Sequence, residues 1–235
     1  MNSFHKLLII GTITLGSSIC YAQYSDRELY DAYLKRDMKT WASYIASVDT
    51  AHADDTEKLR MLNYLYGYTA YAVSMKQSDA RQLLDLFETN LRNTRHLLPE
   101  AEYLSYKVSA SSYELSLNHW LLAKYSKEIY QDINRAISLS PNDPLVLTMK
   151  GNIEFYNPLG NKQAALLYFQ KADSIYHTQD TSPYLWNVRA VQMTLVQCIE
   201  KTHGKQEAIR VCREILKEEP DFSFIRDTYL PALEK

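Results

Sequence analysis

Glycine is almost missing from this chain, and that limits its fold more than any other feature. Six glycines occur in 235 residues, and beyond Ala22 only Gly67, Gly151, Gly160 and Gly204 remain. A doubly wound sheet or a β-barrel needs glycine for its tight turns and close backbone approaches. Abundant Ala, Leu, Tyr, Lys and Glu, with few Val/Ile/Thr runs, favour helix instead. The expected class is all-α.

The first 22 residues read as a targeting segment. His5 and Lys6 lead an apolar run from Leu7 to Ile19, and Cys20-Tyr21-Ala22 places small residues three and one before a cut ahead of Gln23. That is the layout of a secretory signal peptide. The run falls short of the about 20 apolar residues that a membrane span requires. A rival reading, lipid acylation of Cys20 after cleavage, calls for a small residue before the cysteine, where the bulky Ile19 stands. Two segments follow: a leader over 1–22 and one helical domain over 23–235. The product is expected to be exported, periplasmic or secreted, with no integral membrane segment after cleavage.

Charge excludes some partners. Twenty-six basic against 28 acidic residues leave a net −2, which gives no basic field for nucleic acid and no polybasic patch for a membrane. Cys198 and Cys212 are the cysteines beyond the leader. They are expected as small buried packers on adjoining helices, with one bridge left open as an alternative.

Amphipathic segments separated by short polar turns run the length of the chain. Ser25 with Glu28 reads as a capping box. An apolar stripe through Leu29, Tyr33 and Leu34 follows, then a turn near Arg36 to Lys39 and a second set at Met38, Trp41, Ile45 and Val48; one bent helix is the alternative. Further helices are expected over Asp55 to Met75, Ala80 to His96, Glu100 to Leu122, Lys124 to Leu139, Leu145 to Tyr156 and Lys162 to Tyr176. Tyr184 to Lys201, Gln206 to Glu218 and Phe222 to Leu233 complete the set, with polar linkers at Thr50 to Asp55 and Gln179 to Pro183. A lone hairpin cannot bury both sides of its stripe, so about nine to eleven helices must stack as antiparallel pairs in a solenoid.

The stretch Ala136 to Ala172 resembles the tetratricopeptide repeat. Gly151-Asn152 supplies its close-approach position with Phe155 one turn on, and Ala165, Phe169 and Ala172 reproduce its second-helix spacing. Trp186, Ala190 and Met193 resemble another first helix; Ala208, Cys212, Ile215 and Pro220 resemble the second helix and its proline stop. Looser copies lie at Tyr106, Ala110 and Tyr113, and at Gly67 with Ala80, Leu84 and Phe87. The resemblance spans Thr56 to Pro220 and is specific from Ala136 onward. The family period is 34 residues, whereas Ala136, Ala172 and Ile215 stand 36 and 43 apart, so insertions are expected, the clearest at Asn157 to Asn161.

Catalytic patterns are missing from the sequence. No two histidines lie within one helical turn, no glycine loop could cradle phosphate, and no glycine-flanked serine occurs. The expectation is a non-enzyme without cofactor or metal. Tyrosine is the enriched type, with 19 in the chain, and Tyr64, Tyr68 and Tyr71 form a stripe at helical spacing. Either they pack grooves between helices, or they offer apolar area and a hydroxyl to a ligand. In the resembling family first helices line a concave binding face, which by analogy would add Lys107, Ser111, Glu114, Thr148, Asn152 and Asn187. The leading expectation is an envelope scaffold docking a protein or peptide. The alternative is a helical small-molecule-binding protein or an enzyme, to which a cleft around His96 or His119 would point.

Overall fold

A computed structural model describes residues 24–178 and 185–235; the segment expected as a leader, 1–22, and the linker expected at Gln179 to Pro183 lie outside the described residues. Among those residues there are eleven α-helices and no strand. They are α1 (Asp26–Leu34), α2 (Met38–Ser47), α3 (Asp55–Ser74), α4 (Ala80–Asn93), α5 (Glu100–Leu117) and α6 (Leu122–Leu139). The rest are α7 (Pro144–Tyr156), α8 (Lys162–Thr178), α9 (Trp186–His203), α10 (Lys205–Glu218) and α11 (Leu230–Glu234).

Local chemistry sets the helix ends. Ser25 and Glu28 form the expected capping box, Glu28 N donating to Ser25 Oγ at 3.2 Å and Ser25 N to Glu28 Oε2 at 2.8 Å. Asp54 caps α3 through Glu57 N at 2.8 Å. Asp143 accepts from Leu145 N and Val146 N ahead of Pro144 in the first turn of α7. The scarcity of glycine leaves a mark: the left-handed residues that close α1 and α3 are Arg36 (φ 59°) and Lys76 (φ 53°), positions that glycine would fill with less strain. The break at Arg36 makes the first unit two helices, not one bent helix.

Three boundaries differ from expectation. Helix α5 stops at Leu117 because Asn118 turns out of the helix and its Oδ1 accepts from Trp120 N at 3.3 Å. The last segment is not one α-helix: residues 224–229 wind as a π-helix before α11, where Pro231 lacks an N–H and its ring would crowd the carbonyl four residues back. His96 sits exposed in a 3-10 turn, not on the apolar stripe.

Helices pair as antiparallel hairpins α3/α4, α5/α6, α7/α8 and α9/α10, and α3, α5, α7 and α9 pack side by side as an inner layer. Ala165, Phe169 and Ala172 are fully buried between α7 and its neighbours. Cys198 and Cys212 are free, fully buried thiols. Burial pushes them up to about 11 and about 12, and they pack as small apolar groups.

The arch then closes on itself. Tyr30 of α1 donates to Glu219 Oε2 at 2.7 Å, and Ser223 Oγ donates to Leu34 O at 2.6 Å. Arg189 Nε of α9 donates to the Tyr30 hydroxyl at 2.8 Å. Tyr33 packs on Phe222 and on Trp186, with ring centroids 6.1 and 5.6 Å apart.

Candidate functional site

Aromatic side chains fill the inside of the arch. Trp186, at the start of α9, reaches across it. Its ring lies 5.2 Å from Trp41 of α2 and 5.7 Å from Tyr66 of α3. It presses so closely on Gly67 that a Cβ there would stand 2.6 Å from its ring edge. The indole N–H donates to Asn63 Oδ1 at 2.7 Å, which turns the Asn63 amide to donate from Nδ2 to the Tyr106 hydroxyl at 3.1 Å. Around this plug stand Tyr66, Tyr106 and Tyr113, the Tyr66 ring lying 5.6 Å from that of Tyr106 and 6.3 Å from that of Tyr113. Burial, first of all, raises the pKa values of Tyr66 and Tyr113, and the phenols of Tyr106 and Tyr156 add to it.

At the edge where α5, α7 and α9 begin, a cavity of about 330 Å³ is lined by Glu102, Tyr106, Asp143, Leu145, Tyr176 and Asn187, among others. Burial, then the neighbouring Asp143 charge, raises the Glu102 pKa. Asn187 is 6% exposed and its Oδ1 has no hydrogen-bond partner.

The opposite edge carries the turns α3–α4, α5–α6 and α7–α8. They share that edge because α3, α5 and α7 run side by side in one direction. Each holds a large exposed apolar residue: Met75, then Trp120 (95% exposed), then Tyr156 and Leu159 (94%). Scattered exposed hydrophobics are ordinary; these stand on three turns of one edge. Tyr156 is 60% exposed, and its hydroxyl donates to Gln197 Oε1 of α9 at 3.4 Å.

No protein-family model matches the sequence, and no curated protein is similar to it. A solved structure is. The fold is similar to that of the HusA haemophore from Porphyromonas gingivalis, with a TM-score of 0.55 at 20% identity. The match covers 80% of this chain and 97% of that protein.

The residues expected on a concave face are not brought together. Tyr64 is buried against Trp41 and Tyr44, at ring distances of 4.8 and 5.2 Å, while Tyr68 and Tyr71 are half-buried on the same helix. Lys107 turns to α6, pairing with Glu128 at 2.6 Å and Asp132 at 2.8 Å. Glu114 turns to Arg81 of α4. Thr148 is buried and donates to Pro144 O, Ser111 is half-buried on α5, and Asn152 keeps an unpartnered buried Oδ1 on α7. Asn187 alone of the nine lines the cavity. Tyr66 in the interior and the exposed Tyr156 at the end of α7 lay outside the tyrosine stripe; Tyr106 and Tyr113 were legible as apolar-face residues only. His96 lies on the surface, and the His119 side chain lies outside the described set.

A second cleft, between α8, α9 and α10, gathers Asp173, His177, Glu214 and Glu218. Among the described residues no three such groups stand close enough to hold a metal ion. Burial raises the Asp173 pKa, and the hydrogen bond from His177 Nδ1 to Asp173 O at 2.8 Å is the largest cause raising that of His177. Groups with raised folded pKa values contribute stability below their unfolded values and lose it as pH climbs through the folded ones. Stability should therefore fall from mildly acidic to neutral pH. Asp173→Asn should flatten that fall and add about 1 kcal/mol at pH 7, as urea titrations at several pH values will test.

Proposed function

We propose that this chain is an exported, non-catalytic carrier of a planar, largely apolar small molecule, with haem as the leading cargo. The observation carrying this reading is the row of exposed apolar residues on consecutive turns, in a fold similar to a haemophore over nearly that protein's whole length. A flat macrocycle needs broad apolar contact and a donor atom that can reach iron. Trp120 and Leu159 offer the first, and the phenol of Tyr156 and the thioether of Met75 are donors of kinds that ligate haem iron. A peptide-docking scaffold needs an open inner face, and here Trp41, Tyr66 and Trp186 occupy it. That favours small-molecule capture over the protein-docking role expected from repeat resemblance. The reading includes secretion or periplasmic residence, in keeping with the leader.

Trp120 supplies a built-in reporter. Trp41 and Trp186 are 0% and 4% exposed, so long-wavelength tryptophan emission comes from Trp120. Haemin titrated into the protein should quench that emission and shift the Soret band in step. Trp120→Ala combined with Tyr156→Ala should weaken binding at least about tenfold, or about 1.4 kcal/mol. A Soret band that stays that of free haemin, or equal affinity in the double variant, would remove the reading.

A further inference from the structure

We propose that Asn118 and Asn157 are positioning residues for the cargo site, a role that rests on the carrier reading above. Each holds out one apolar prong, Trp120 or Leu159, on a turn fixed before any cargo arrives. Both asparagines end an inner helix, and the bonds around them match one for one. Asn118 N donates to Glu114 O at 2.8 Å, and Asn157 N to Ile153 O at 3.2 Å. Each side-chain oxygen accepts from the amide two residues on: Asn118 Oδ1 from Trp120 N at 3.3 Å, Asn157 Oδ1 from Leu159 N at 2.9 Å. Each backbone oxygen accepts from the amide three residues on, Leu121 N at 3.2 Å and Gly160 N at 2.9 Å. An asparagine folded back on its own chain in this way turns a loose loop into a set one. The other inner helices end differently, α3 through left-handed Lys76 and α9 through Gly204 at φ 91°.

The residue two places on is what the turn presents. Trp120 and Leu159, 95% and 94% exposed, are the two most exposed large apolar side chains among the described residues. Left in water, they draw nothing from the hydrophobic effect, so the fold does not need them there. A loose turn would let them drop onto their neighbours. These turns prevent it, and the second is held twice over. Asn157 Nδ2 donates to the Tyr130 hydroxyl at 2.7 Å, and Lys162 Nζ donates to Asn157 O at 2.9 Å and to Phe155 O. Gly160 lies so close to the Glu154 carbonyl that a Cβ has no room. Because α5 and α7 pack side by side, and packed helices stand about 8–10 Å apart, one flat body can touch both prongs. The ordering cost then falls on folding rather than on binding, which is how preorganisation raises affinity.

Amide relaxation measurements and haemin titrations test this together. In the free protein the order parameters of the Trp120 and Leu159 amides should be helix-like, about 0.85. Asn118→Ala should bring the first below about 0.6, and Asn157→Ala the second, each at its own turn only. Each variant should weaken haemin at least about threefold, and the pair at least about tenfold. Asn118→Asp and Asn157→Asp keep the accepting oxygen. They should restore both order and affinity to within about twofold of wild type in about 0.5 M salt, which screens the added charge. Wild-type amides already below about 0.6, alanine variants that bind haemin as wild type does, or aspartates no better than the alanines would each overturn the proposal while the carrier reading stands. A wild type that leaves haemin free overturns both. If Asn157→Ala loses its fold by circular dichroism, since that side chain also holds Tyr130, the two Asn118 variants carry the test.

Discussion

Trp186→Ala is expected to lower the thermal unfolding midpoint by about 10 °C or more. Removing a buried tryptophan costs about 3–5 kcal/mol, and for a chain of this size each kcal/mol moves the midpoint by about 2–4 °C. Three contacts fail together: the ring against Trp41, the ring against Tyr66, and the bond from the indole N–H to Asn63. The last leaves Asn63 Oδ1 without its donor inside the arch, adding about 1 kcal/mol. Trp120→Ala is the control. That side chain is 95% exposed, and its loss should change stability by no more than about 0.5 kcal/mol. Calorimetry of the two variants side by side would expose an error if both fell equally.

Gly151→Val should destabilise the protein by about 3 kcal/mol. A Cβ at Gly151 would stand 2.6 Å from Phe169 Cε1 and 2.8 Å from its Cδ1, and Phe169 is fully buried between α7 and α8. The ring cannot move without pushing its neighbours, and such overpacking costs about 1–3 kcal/mol. Alanine would recover about 1 kcal/mol through helix propensity. Valine recovers less, because a β-branched side chain is restricted in a helix, and it adds two methyl groups to the clash. The expected order of urea midpoints is wild type, then Gly151→Ala, then Gly151→Val. A valine variant as stable as wild type would mean that α7 and α8 can part at little cost.

Helix pairs were legible because their signals are local. Ser25 with Glu28 announces a helix start within four residues, and the apolar stripes between the polar turns set length and facing. The interior was not legible, because it depends on closure. Tyr30 and Glu219 meet across 189 positions, and no window of periodicity spans that distance. The choice of face failed for a related reason. Lys107 and Glu114 each follow a tyrosine, Tyr106 and Tyr113, and one residue along a helix is a turn of about 100°. The tyrosines took the inside of the arch and left the charged neighbours to α6 and α4. On α3 the even stripe through Tyr64, Tyr68 and Tyr71 drew the eye, whereas Tyr66, beside Gly67, is the residue that meets Trp186. Asn187 was reached by analogy with the repeat family and lines the cavity from the first turn of α9.

The seam between α1 and the segment after α10 carries a consequence for how such a protein can change in evolution. Open stacks grow or shrink by whole units, since each unit touches only its neighbours. Here an added hairpin would pull Tyr30 away from Glu219 and Leu34 away from Ser223, so duplication is barred and the count of units is locked. Variation must then enter through turns, as at Asn157 to Asn161, where the chain can lengthen without reopening the circle.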